Sequence, residues 1–137
     1  MDSAGDDGRE NSLIDIQSMK HYAEAETARN RALEIEQFKQ ELAKWNISFS
    51  DLVQASPKHV KTRLVCRRII GYLLGHEEKL RWIFQKQMLP LADMEKDLLI
   101  PRKQLERFRK YIIAVLIIKT GDYPFLQEYV RDWGCDR

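Results

Sequence analysis

The chain has 137 residues, 44% of them hydrophobic, which suffices for one domain with a modest core and a polar tail. Its longest apolar stretch, residues 111–118, is far shorter than the roughly 20 residues of a membrane span, and its N-terminus lacks a signal-peptide pattern. We therefore expect a soluble, cytoplasmic protein.

The two cysteines, Cys66 and Cys135, belong to no CxxC motif and to no Cys/His cluster, so neither a disulfide framework nor a zinc site is expected. His59 lies two helical turns before Cys66, yet a buried cysteine usually acts as a small hydrophobe. The chain also has no nucleophile elbow, phosphate-binding glycine loop or HExxH motif. We expect neither an enzyme nor a cofactor or small-molecule ligand.

The net charge of +2 hides an asymmetry along the chain. Residues 1–56 hold 6 Lys or Arg against 11 Asp or Glu, residues 57–110 hold 14 against 6, and residues 111–137 hold 3 against 4. A basic central block attracts polyanions, although a solvated helix face produces the same composition. The charge pattern alone leaves both interpretations open.

Apolar residues at helical spacing predict helices along most of the chain. The polar, acidic residues 1–12 should be disordered, and the weak apolar stripe of residues 13–30 predicts a frayed helix or linker. From residue 29 to Asn46 the stripe is stronger, and Asn46 is a plausible stop. The members of this stripe are Leu33, Phe38, Leu42 and Trp45.

Helix-start and helix-stop residues divide the remaining chain. Ser48 should begin a short helix, and Ser56 followed by Pro57 predicts the cap and first residue of a long helix that stops at Gly75. Gly121 should end another helix in a left-handed conformation. The further predicted helices are residues 76–88, 90–98, 101–120 and 123–133. Since no segment alternates as a strand does, the predicted fold is all-α, a small domain of about six helices.

A short helix, a tight break and a basic second helix occupy residues 89–114, which is the plan of a C-terminal helix-turn-helix. Many all-α domains contain two helices joined by a short turn, so the spacing alone is weak. The turn offers Leu98, Leu99 and Ile100 where many such motifs have glycine, and a bulky left-handed residue costs roughly 1 kcal/mol or more. A turn wider than usual is therefore expected.

The residue types of the predicted 101–120 helix narrow the interpretation. One arc is apolar and should face the core: Leu105, Phe108, Ile112, Val115 and Leu116. The opposite arc and its flanks carry long donors and one acceptor, Glu106, where a recognition helix meets base edges. A merely solvated face usually alternates charge sign. The candidate DNA-binding residues are Arg102, Lys103, Gln104, Glu106, Arg107 and Lys110.

Two strings carry a family resemblance: EIEQFKQELAKWNISFSDLVQASPKH at residues 34–59 and IPRKQLERFRKYIIAVLIIKTGDYPFLQEYV at residues 100–130. Together they resemble the C-terminal domain of sigma-I-type bacterial RNA polymerase sigma factors, over about residues 29–130. The most specific motifs are Ser56 to His59, Glu106 with Arg107, and Arg109 to Ala114. Many members of the family carry His where Phe108 stands, a change expected to affect packing because Phe108 lies on the apolar arc.

The resemblance implies a function and partners. Such a domain recognises the minus-35 element of promoter DNA, works with the RNA polymerase core, and is held inactive by the cytoplasmic segment of a membrane-bound anti-sigma factor. The family serves heat response or polysaccharide sensing. A complete sigma factor also has a larger N-terminal domain, so we expect a fragment in which residues 29–137 form the DNA-binding domain. Residues 1–28 would then be a flexible linker or residues added by cloning.

Side-chain chemistry divides the expected roles on DNA. Arg107 suits a guanine edge and Gln104 an adenine, whereas Lys103 and Lys110 suit phosphates. The alternative from another functional class is a helical protein-interaction module whose basic middle docks an acidic partner. Trp82 would mark such an interface if it proved exposed, instead of packing in the core.

Overall fold

The computed structural model describes the backbone of residues 4–132 and the side chains of residues 17–130. Every regular element in that part of the chain is a helix, which confirms the all-α prediction. Eight helices lie there instead of about six, partly because the predicted 101–120 helix is divided. They are α1 (Ala4–Lys44), α2 (Phe49–Ala55), α3 (Val60–Leu74), α4 (Glu77–Lys86), α5 (Leu91–Leu98), α6 (Arg102–Arg107), α7 (Arg109–Thr120) and α8 (Pro124–Asp132).

The chain divides into two compact units, Met1–Glu34 and Ile35–Arg137. In the first unit, residues 4–30 are helical, whereas the sequence predicted disorder for residues 1–12 and a frayed helix or linker for residues 13–30. The Ala- and Glu-rich residues 13–30 have a high helix propensity, which outweighs the weakness of their apolar stripe. Leu33, predicted to belong to the stronger apolar stripe of residues 29–46, is 60% exposed. The linker role of residues 1–28 stays a prediction.

The second unit is built around α7. All eight side chains from Tyr111 to Ile118 are buried, and α7 contacts α2, α3, α6 and α8. A helix that is apolar on every side is stable only when neighbours cover it all round, which is the position of α7. The predicted apolar arc of residues 105–116 is confirmed, since all five of its members are buried.

The junction between α2 and α3 differs from the prediction. Ser56 is the C-cap of α2: its backbone is extended (ψ 136°), and its hydroxyl and its N–H both donate to the carbonyl of Leu52. Pro57 then holds the preceding residue in an extended conformation, and α3 begins only at Val60. The hydroxyl of Thr62, inside α3, accepts the N–H of His59 at 3.3 Å. Ser56 as the cap of the long helix is therefore wrong.

Helix ends elsewhere follow the sequence more closely. α1 ends at Lys44 and Asn46 is left-handed (φ 60°), as a stop at this residue predicted. α3 ends before Gly75, and α7 ends before Gly121, but Gly121 is extended (φ −101°, ψ −174°) instead of left-handed. A Cβ at Gly121 would lie 2.7 Å from the Tyr123 ring and 2.8 Å from a backbone carbonyl oxygen, so glycine is needed there for space. The predicted end of the last helix at residue 133 lies outside the described residues.

Candidate nucleic-acid interface

The predicted helix-turn-helix is formed by α5 and α6. Three residues, 99–101, separate the two helices. The buried side chains Met94 and Leu98 of α5 and Leu105 of α6 belong to one hydrophobic core. The opposite side of α6 is thereby left to solvent.

The turn has the usual length, so the expectation of a wider turn is wrong. Leu99 adopts the left-handed conformation itself (φ 58°, ψ 41°), and its N–H donates to the carbonyl of Glu95 at 3.0 Å. Its neighbours Leu98 and Ile100 are each 5% exposed, whereas Leu99 is 85% exposed. The chain keeps the tight turn by accepting an unfavourable conformation at one leucine.

α3 fixes the position of α5. The guanidinium of Arg68 donates to the carbonyl of Leu98 at 2.5 Å, at the last residue of α5. One turn along α3, the Tyr72 hydroxyl donates to the Asp97 carboxylate. Desolvation, followed by the hydrogen bond to Asp97 and its charge, raises the pKa of Tyr72 to about 12, so the hydroxyl remains a donor near neutral pH.

The predicted 101–120 helix is interrupted at Phe108. Its backbone (φ −102°, ψ 11°) leaves the helical region, and its N–H is shared between the carbonyls of Gln104 and Glu106. The N–H to Gln104 contact is 3.3 Å, longer than an ordinary helical hydrogen bond. A single continuous helix is therefore wrong, and the candidate surface is divided between α6 and the start of α7.

The six candidate residues occupy three kinds of place. Four are exposed on α6, one is half-buried on α6, and one is half-buried on α7. The exposed group contains three cations and one carboxylate, which agrees with the sequence expectation for the solvent face of this helix. The exposed residues of α6 are Arg102, Lys103, Glu106 and Arg107. Gln104 is the half-buried residue of α6, and Lys110 is the half-buried residue of α7.

Lys110 has a partner within the protein. Its Nζ lies 3.4 Å from Oδ2 of Asp51 on α2, and both side chains are about one-third exposed. Asp51 also accepts the backbone N–H of Ser48 at 3.0 Å and donates its own N–H to the Ser48 hydroxyl, which together form a capping box. The Ser48 N–H, opposed by partial desolvation and assisted by the Ser48 hydroxyl and Lys110, lowers the pKa of Asp51. Lys110 therefore faces an ionised carboxylate at neutral pH.

The arginines of α6 have weaker contacts. Arg102 Nε lies 3.8 Å from Oε1 of Glu95 on α5, and both side chains are about half exposed, so water screens this pair. The guanidinium carbon of Arg107 lies 5.5 Å from the centre of the Phe108 ring, within cation–π range. Both guanidinium groups can leave these contacts at small cost when an anion or a base edge approaches.

Comparison with known proteins decides the family. No family model matches the chain. RNA polymerase sigma factor SigI7 of Acetivibrio thermocellus is 47% identical over 126 residues, covering 92% of this chain and 54% of the relative. SigI of Bacillus anthracis is 38% identical over 87% of this chain and 50% of the relative, and SigI of Bacillus subtilis is 36% identical over 93% and 51%. The chain belongs to the SigI-type RNA polymerase sigma factors. It spans about half the length of the curated relatives it matches, which is consistent with the predicted C-terminal domain.

Several residues that shape the surface of this SigI-type domain were missed or were interpreted differently from sequence. Arg68 and Lys58 belong to the basic block of residues 57–110, but Arg68 bonds to the Leu98 carbonyl and the Nζ of Lys58 donates to the Val53 carbonyl at 2.8 Å. The partners of Lys110 and Tyr72 are 59 and 25 residues away, and no local pattern signals pairing over such separations. The composition of the basic block, residues 57–110, therefore overstates how many of its cationic side chains are free to meet phosphates.

A second feature of the SigI-type domain is a cleft of about 520 Å³ beside α6. Trp82, expected in the core, is 37% exposed and forms one wall of this cleft. Arg102, at the start of α6, contributes to the same lining. The cleft thus joins an aromatic surface of α4 to one of the candidate DNA-binding residues.

Among the described residues, none of the helices combines the length and the apolar character needed to cross a lipid bilayer. In that part of the chain, no three His, Cys, Asp or Glu side chains are grouped as metal ligands. Cys66 is buried in the core, which agrees with its expected behaviour as a small hydrophobe.

Proposed function

We propose that this SigI-type domain recognises the minus-35 element of promoter DNA through α6, as part of a sigma factor that acts with the RNA polymerase core. The observation that carries the proposal is the exposed cationic face of α6, formed by Arg102, Lys103 and Arg107 directly after a three-residue turn. A short basic helix in this position can enter a major groove, because the core contacts of Leu105 and Phe108 lie on its other side.

The proposed roles follow from side-chain chemistry. Arg107 reads a guanine through two parallel hydrogen bonds, and Glu106 can accept from the amino group of a cytosine. Gln104, half-buried, offers its amide to an adenine at the edge of the surface. Arg102 and Lys103 hold phosphates. Lys110 is kept as a phosphate contact, but a phosphate has to compete with Asp51 for its ammonium group.

The test begins with in vitro selection of a duplex by the full chain from a random-sequence library. Fluorescence anisotropy on the selected duplex and on a scrambled one, over a salt series, then separates specific from non-specific binding. We expect tighter binding to the selected duplex and a log-linear salt dependence of about −0.9 per phosphate contacted. Lys103→Ala should lower the magnitude of that slope by about one unit on both duplexes. Equal affinity for both duplexes in the unmutated chain would refute promoter recognition by this domain.

We also propose regulation by the cytoplasmic segment of a membrane-bound anti-sigma factor, with residues 1–28 as a linker to the rest of the sigma factor. The family resemblance is the support for both. On α1, Phe38, Leu42 and Trp45 are buried and are therefore not part of a binding surface, whereas Leu33 is 60% exposed. Titration of the chain with that cytoplasmic segment tests the regulation, and the absence of binding at tens of micromolar would count against it for this domain.

The protein-interaction alternative has one specific observation in its favour, the partly exposed Trp82 in the cleft beside Arg102. Aromatic side chains that line a cleft are common anchors in protein interfaces. A module of that kind would bind duplex DNA without sequence preference or not at all, so the selection experiment separates it from promoter recognition. Trp82→Ala would then abolish binding of the acidic partner.

A further inference from the structure

Leu99 combines two unfavourable features that packing does not explain. It is left-handed at φ 58°, and it is 85% exposed, more than any other large apolar side chain that the structure describes. Single exposed leucines are common on protein surfaces, and exposure alone needs no explanation. A leucine that is both strained and exposed is different, because its side chain gains no burial that could offset the strain.

The other left-handed positions in the described residues show what the fold itself requires. Asn46 and Gln87 have φ of 60° and 57°, and both carry short or flexible polar side chains. Asparagine tolerates the left-handed region well, and glycine has no penalty there. The turn between α5 and α6 would therefore form at least as readily with asparagine or glycine in place of Leu99.

The backbone around Leu99 is fixed, so its side chain cannot turn inward. Its N–H is bonded to Glu95, the Leu98 carbonyl receives the Arg68 guanidinium, and Ile100 is buried on the other side. α6 begins three residues later at Arg102, so the two Cα atoms lie no more than about 11 Å apart. Leu99 therefore projects into solvent beside the amino end of the helix proposed to read DNA.

We propose that Leu99 is an apolar specificity contact that packs against a thymine methyl group in the major groove, next to the bases approached by α6. The inference rests on the proposed function. Thymine is the base that presents a methyl group in the major groove, and apolar side chains recognise it by contact. A contact of this kind accounts for a leucine at a position where the turn favours glycine or asparagine, because the side chain becomes buried only in the complex.

The test uses the full chain and the duplex selected in vitro, with each thymine replaced in turn by deoxyuridine, which lacks the methyl group. For the unmutated chain, one replacement should weaken binding about fourfold, the factor that corresponds to burial of one methyl-sized group. Leu99→Gly and Leu99→Asn should weaken binding to the thymine duplex by at least that factor. For these two variants, replacement of the same thymine by deoxyuridine should not change the affinity. Val53→Ala, at another exposed apolar residue, is the matched control and should keep the full thymine preference.

The outcomes separate this inference from the proposed function. If the chain selects a duplex but every deoxyuridine replacement acts equally on the unmutated chain and on both Leu99 variants, the inference is overturned and promoter recognition stands. Selection of a duplex without any thymine would likewise overturn the inference and leave promoter recognition standing. If Leu99→Gly keeps its DNA affinity and loses affinity for RNA polymerase, Leu99 belongs to a protein interface and the inference is again overturned. Selection of no duplex overturns both proposals.

Discussion

α7 and the α5–α6 segment are neighbours in the chain, but they differ in the solvent exposure of their side chains. α7 has eight consecutive buried side chains, whereas α6 exposes four charged ones and follows a leucine held in a left-handed conformation. Removal of a side chain from α7 opens a cavity, and removal of a charged side chain from α6 leaves the core intact. Stability and proposed DNA reading are thus placed in adjacent but separable parts of one fold, and single substitutions can test that separation.

The largest expected effect is in α7. Leu116→Ala removes a fully buried side chain and should lower the free energy of unfolding by about 2–5 kcal/mol. Urea denaturation followed by circular dichroism measures this change. Leu64→Ala is the matched control, because Leu64 on α3 is half exposed, and it should change the free energy of unfolding far less. Similar losses for the two variants would contradict the assignment of stability to α7.

The second-largest expected effect is a loss of DNA affinity without a change in stability. Arg107→Ala should weaken binding to the selected duplex by about 1–3 kcal/mol and binding to a scrambled duplex very little, because a bidentate base contact is lost. The melting temperature should stay unchanged, since the Arg107 side chain is exposed. Lys103→Ala is the comparison variant and should weaken both duplexes alike. Equal losses on the two duplexes for Arg107→Ala would remove the base-reading role.

The amphipathic periods of the sequence predicted most of this fold. The apolar arc of residues 105–116 is buried as expected, and the elements from α2 to α8 lie close to their predicted places. Errors arose where a local signal has two meanings. Ser56 before Pro57 looks like a helix start, yet the same residue ends the helix before it. Such a choice depends on the tertiary placement of both helices.

The candidate site was predictable in its charges but not in its pairings. Periodicity placed Arg102, Lys103 and Arg107 on the exposed side of a helix that meets its neighbour through a short turn. It could not show the break at Phe108, or that Lys110 meets Asp51 on a helix far away in sequence. The sequence also did not predict the conformation of the turn. The steric cost of a left-handed leucine argues against that conformation, and Leu99 nevertheless adopts it.

A smaller effect, an increase in the free energy of unfolding, is expected at the turn between α5 and α6. Leu99→Gly should raise the free energy of unfolding by about 1 kcal/mol, because glycine adopts the left-handed conformation without steric cost and little buried surface is lost. Thermal and urea denaturation of the same preparation measure the gain. Gln87→Gly provides a matched control at a second left-handed position, where the gain should be similar. A loss of stability in Leu99→Gly alone would mean that the leucine side chain contributes to the fold.

The smallest effect concerns the ion pair that ties α2 to α7. The pKa of Asp51 is lowered in the folded chain, chiefly by the Ser48 N–H, so this carboxylate contributes stability above its unfolded-state pKa of about 3.8. That contribution is lost as the pH falls from this value through the lower folded-state pKa. Asp51→Asn should therefore reduce stability at pH 7 and make the acid side of the stability curve less steep, by less than the change expected for Leu99→Gly. Lys110→Met removes one of the weaker influences on Asp51 and should keep most of that slope, because the Ser48 N–H remains. Urea denaturation of the three proteins between pH 2 and 7 makes the comparison, and an unchanged pH profile in Asp51→Asn would show that another carboxylate governs the acid limb.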